Sequence, residues 1–76
     1  MLSINIDSCE AAGKLVKLCE KHHDKMEIDV IHGRTVIDGR SLLGVHSLIG
    51  NIVGVNPQTD DKILLSEFGE ELEKIK

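Results

Sequence analysis

The chain predicts an α+β fold: an open-faced β-sandwich of order βαββαβα, with a four-stranded antiparallel sheet covered by three helices on one face. Three observations carry that expectation. Residues 2–6 and 26–30 alternate apolar and polar side chains, as half-buried strands do. Residues 8–22, and again those from about Thr59 onward, repeat apolar side chains every three to four positions, as amphipathic helices do. Short apolar runs enclosed by glycine fill the remaining length.

Taken in order, residues 2–6 (LSINI) form the first strand. Asp7 and Ser8 then start a helix, and Glu10, three residues after Asp7, resembles a capping box. Ala12, Leu15, Val16 and Cys19 share one face of this helix, with Lys14, Lys17, Glu20 and Lys21 elsewhere. Gly13 inside it costs up to about 1 kcal/mol relative to Ala unless backbone passes close by. His22 to Lys25 is a polar break. Residues 26–30 and 35–37 pair as a hairpin whose turn reads His32-Gly33.

A turn at Asp38-Gly39 leads to Ser41, which stands as the N-cap of a short helix over residues 41–49. Its hydroxyl can accept from the amide of Leu43 or Gly44. Leu42, Leu43, Val45, Leu48 and Ile49 make this helix apolar almost all the way round, so part of its surface is left for a partner. Gly50 ends it, and residues 52–55 form a fourth strand before Asn56-Pro57. Residues 62–68 are compatible with strand or helix. The three-to-four spacing of Leu64, Leu65, Phe68, Leu72 and Ile75 favours helix, and Gly69 opposes it.

At 76 residues the chain is one domain, 1–76, burying roughly 60–65% of its unfolded surface. Its 41% hydrophobic residues are almost all aliphatic, with one Phe and no Tyr or Trp, so nothing stacks on bases. A net charge of −4 with mixed signs provides no basic stripe. Neither nucleic acid nor an anionic membrane is expected as a partner. No leader-like segment or apolar run near the ~20 residues of a membrane span occurs, so a cytoplasmic protein is expected. Cys9 and Cys19 would lie about 15 Å apart on one helix, too far for a disulfide.

The side chains able to do chemistry are few. Cys9, at a helix N-terminus, is a possible phosphoryl or redox acceptor, opposed by the negative charge of Asp7 and Glu10. Cys19, His22 and His23 have the i, i+3, i+4 spacing of metal ligands. Cys19, however, shares its face with core residues, and no metal is expected. His46 faces solvent or a partner. Asp60-Asp61 and Glu70-Glu71 read as solvated helix faces.

The stretch Gly33-Arg34-Thr35-Val36, followed by Ser41-Leu42-Leu43-Gly44-Val45-His46-Ser47-Leu48, resembles the region around the regulatory serine of HPr, the phosphocarrier of the bacterial sugar phosphotransferase system. The resemblance implies that Ser41 is a regulatory phosphorylation site for a serine kinase. It implies further that Leu42, Leu43 and His46 dock partner proteins. The chain departs from the family where the phosphorylated histidine belongs. That family's His-x-Arg-Pro motif is replaced by Ser8-Cys9-Glu10-Ala11-Ala12, without histidine, arginine or proline.

The expectation is therefore a degenerate HPr-like domain that is no enzyme and needs no cofactor. It binds proteins, namely phosphotransferase-system components or a regulator, and Ser41 is its candidate switch. The alternatives are a residual phosphocarrier using Cys9 or His46, and a ferredoxin-like ligand-binding module, whose βαββαβ order the chain also fits.

Overall fold

The computed structural model of the chain describes residues 2–76. Its elements run β1 (Leu2–Ile6), α1 (Cys9–Lys21), β2 (Glu27–His32), β3 (Thr35–Asp38), α2 (Leu42–His46), β4 (Asn51–Gln58) and α3 (Lys62–Ile75). The strands form one sheet in the order β1-β4-β2-β3, with every neighbouring pair antiparallel. This is the predicted open-faced sandwich. A ferredoxin-like sheet would hold its first strand in the interior, next to the third; here β1 is an edge.

Alternation decides which face is covered. Ile4 and Ile6, Ile28 and Val30, and Val53 and Val55 point to one side and are at most 3% exposed. Onto them pack Ala12, Leu15, Val16, Leu18 and Cys19 of α1, Val45 and Leu48 from the α2 region, and Phe68 and Leu72 of α3. Val36 and Ile52, on the opposite side, are exposed.

Helix ends follow side-chain acceptors. Ser8, not Asp7, caps α1: its Oγ accepts from the Ala11 amide at 3.1 Å. Glu10 does not close a capping box but pairs with Lys14 at 3.2 Å. Asp61 caps α3, accepting from the amides of Ile63 and Leu64 at 2.9 and 3.3 Å. That helix thus starts at Lys62, later than Thr59 suggests. Residues 62–68 are helical throughout, and a methyl group on Gly69 would meet only Leu2, at 3.9 Å.

Three boundaries differ from expectation. The β2–β3 turn is Gly33-Arg34, since His32 pairs with Thr35. Gly33 has φ 61, as the first central residue of a type II′ turn requires. β4 continues through Pro57 to Gln58. Its last partner on β1 is Val55, opposite Leu2, so Pro57 lies where β4 is itself an edge and a missing donor is tolerated. The third difference is α2, which stops at His46. Residues 47–50 continue only as turns, bonded Leu48 N–H to Val45 O and Ile49 N–H to His46 O at 3.0 and 3.2 Å.

Candidate docking site at the second helix

The turn into α2 is fixed from both sides. Gly39 donates to the Ile28 carbonyl at 2.9 Å, and Ser41 donates to the Asp38 carbonyl at 2.9 Å. Ser41 is then free to cap α2, and its Oγ accepts from the Gly44 amide at 3.2 Å. Gly44 itself has no room for a side chain, since a methyl there would stand 2.5 Å from Ile37 Cγ2 and 2.9 Å from the capping hydroxyl. The glycine lets α2 lie directly on β3.

Five residues cannot form a stable helix alone, so packing must hold this one. Val45 is fully buried and Leu48, in the following turn, is 6% exposed. The other flank is open: Leu42 is 49% and Leu43 85% exposed. His46 is half-buried and Ser41 exposed. Ser41, Leu42 and Leu43 thus stand on the outer side of an element whose inner side belongs to the core.

The remaining expected groups do not gather into a site. Cys9 is exposed at the first position of α1, remote in sequence from α2. Cys19 is buried, and burial pushes its thiol up to about 12, with the charges of Asp38 and Glu20 adding to the effect. A thiol so held is neither a nucleophile nor a ready ligand. His22 and His23 diverge, and among the described residues no group of three His, Cys, Asp or Glu side chains is placed to hold a metal.

His22 is not the polar helix-end residue its neighbours in sequence imply. It caps α1 but is only 5% exposed, with its ring edge-on to Phe68 at 5.5 Å between centroids. Its Nε2 lies 3.3 Å from Glu71 Oε1, too bent to count as a hydrogen bond, and otherwise has no partner. Glu71 is correspondingly not a solvated side chain. It is half-buried and accepts from Lys21 Nζ at 2.9 Å, which holds its carboxyl below the usual carboxylate range.

Sequence reasoning also missed Arg40. Its backbone N–H and side-chain Nε donate to Asp38 Oδ1 at 2.9 and 3.4 Å, and Nη2 donates to Oδ2 at 3.1 Å. Those bonds, the backbone one first, hold the Asp38 carboxyl below its ordinary value. The Asp38-x-Arg40 spacing is visible in the sequence. The contact of Arg40 with His23, seventeen residues away, has no local signature.

No family model matches the sequence, and no curated protein matches it. Among solved structures the chain is similar to the crystal structure of HPr-C-His from Thermoanaerobacter tengcongensis, with a TM-score of 0.71 and 22% identity over 97% of this chain and 86% of that one. The fold is HPr-like. Among the described residues no helix is long and apolar enough to cross a membrane.

Proposed function

We propose that this chain is a non-catalytic, HPr-like regulatory domain that acts by binding a protein through the outer flank of α2, with phosphorylation of Ser41 as its gate. The observation that carries the reading is Leu43, 85% exposed on a helix whose opposite side is core and whose cap is a serine hydroxyl in solvent. An apolar side chain so exposed contributes little to folding and is available to a partner.

Loss of the carrier function belongs to the same reading. At the N-terminus of α1, where the HPr resemblance places the phosphorylated histidine, this chain has Cys9 with Glu10 beside it. The carboxylate of Glu10, 78% exposed at its side chain, adds negative charge where a phosphoryl group would have to settle. A phosphate on Ser41 would meet a donor at once: the Gly44 amide already points at that oxygen. Arg40 precedes it in the chain, its charge shared with Asp38. The added charge beside Leu42 and Leu43 would weaken an apolar partner and favour a basic one.

The test is incubation with an HPr serine kinase and ATP, followed by peptide mass mapping. One phosphate on Ser41, absent from Ser41→Ala, is the expected result. An unmodified Ser41 in folded protein overturns the gate.

A further inference from the structure

The segment that leads into α2 is tied to the end of α1 by one polar contact, Arg40 Nη1 to His23 Nε2 at 3.0 Å. The chemistry of that contact fixes the state of the ring. A guanidinium offers only donors and stays charged, so Nε2 must be the acceptor and the imidazole neutral, with its proton on Nδ1. Nδ1 lies 3.7 Å from Glu27 Oε1, which faces it from β2. A doubly protonated ring has no lone pair left for Arg40. The contact would then set donor against donor and cation against cation.

We propose that His23 is a proton-released catch on Arg40. With the ring neutral, the residue before Ser41 is fastened to α1; with the ring protonated, the fastening opens and the guanidinium keeps only its carboxylates. Those carboxylates are already in place. Asp38 holds Arg40 Nη2 at 3.1 Å, and Glu27 Oε2 is 3.7 Å from the same atom. The released imidazolium would remain beside Glu27, so no group is stranded.

The charged groups around the ring are Arg40 from the turn before α2, Glu27 from β2 and Asp38 from β3. On its own segment Glu20 meets His23 only through the backbone, its carbonyl accepting the His23 amide at 3.2 Å, and Asp24 and Lys25 follow in the chain. His22 is turned into the core against Phe68 and takes no part. Proton uptake by this one ring is the event that opens the catch. Both partners are partly solvated, with side chains 43% and 37% exposed, and the response is therefore local. Its consequence for docking, a looser approach to Ser41 in acid, rests on the reading of α2 given above. The catch itself does not.

Nuclear magnetic resonance of the full, unphosphorylated chain tests it. The His23 ring nitrogens, the Arg40 Nε–H and the amides of Arg40 and Ser41 are followed from about pH 8 to about pH 5. The expected result is a neutral ring protonated at Nδ1, with the Arg40 and Ser41 signals moving at the same midpoint as the ring. In His23→Gln, whose amide oxygen accepts from Arg40 and does not titrate, those signals should stay at their high-pH positions. In His23→Ala they should take the low-pH positions throughout. A neutral ring protonated at Nε2, flat Arg40 signals, or an unchanged response in His23→Gln overturns the catch. No kinase enters the measurement, so failure of Ser41 phosphorylation and failure of the catch are read separately.

Discussion

Cys19 and Gly39 occupy adjoining space: a methyl group on Gly39 would stand 2.6 Å from Cys19 Sγ and 3.0 Å from the carbonyl oxygen of Ile28. α1 and the turn into α2 meet there with room for a hydrogen only. Gly39→Ala should destabilise the domain by about 1–3 kcal/mol, as overpacking does. For a chain of this size each kcal/mol lowers Tm by roughly 4–8 °C. Adding Cys19→Ala removes the sulfur and leaves the oxygen, so thermal unfolding should show partial rescue. An unchanged Tm in the single variant would show that the backbone yields.

Ser41 has a structural task as well as the proposed regulatory one, and the two separate by substitution. Ser41→Ala removes the acceptor for the Gly44 amide and should lose about 1 kcal/mol in urea unfolding. Ser41→Asp keeps an acceptor and should retain most of that stability while carrying the charge. Equal losses in both variants would show that the hydroxyl is not a cap.

Leu43→Ala should change stability by less than about 0.5 kcal/mol, because the side chain touches little. Leu48→Ala, five residues on and 6% exposed, should lose about 2–5 kcal/mol. With an HPr serine kinase as the docking partner, Leu43→Ala should lower kcat/KM about tenfold. Phosphorylation at the wild-type rate would remove Leu43 from the docking surface.

What the sequence made legible, and what it hid, divides by the range of the contacts involved. Ser8, Ser41 and the alternation of β1 and β2 are local signals, satisfied within a few residues, and the fold class follows from them. The end of α2 was hidden because Gly50 donates to the Ile6 carbonyl at 2.6 Å, and a strand forty-four residues earlier decides where the chain turns. His22 looked polar beside His23 and Asp24, since the burial comes from Phe68 of α3. The hold of His23 on Arg40 depends on how α1 crosses the sheet, and no spacing along the chain encodes it.

The two thiols should differ sharply. Cys9 is exposed and should be alkylated by iodoacetamide in the folded protein, whereas Cys19 should react only on unfolding. Its thiol lies at about 12 in the folded chain against 9.0 unperturbed, so the folded state holds its proton longer. The stability this contributes is complete below pH 9 and is lost as the pH rises toward 12. Reaction of Cys19 at neutral pH and at the rate of Cys9 would contradict its burial.

Acid acts through Asp38 and Glu71. Both carboxyls are held below their ordinary values, of 3.8 and 4.5, by Arg40 and Lys21 respectively. The unfolded chain therefore takes up their protons first as the pH falls. Their stabilisation is present above those ordinary values and disappears as the pH drops through the folded ones. Asp38→Asn should flatten the acid limb of a stability–pH curve, and Arg40→Gln, which removes the guanidinium but keeps the backbone N–H on Asp38, should flatten it only in part. The effect should be small, because solvent screens both sites. An acid limb as steep in Asp38→Asn as in the wild type would show that Asp38 contributes nothing.

Within α2, Val45 faces inward and Leu42 and Leu43 face outward, so the residues that keep the domain together and those that can meet another molecule are different residues. Substitution at Leu43, and to a lesser degree at Leu42, should therefore leave folding largely intact. If this flank is the docking surface proposed above, a lineage can change its partner one substitution at a time without passing through an unfolded ancestor.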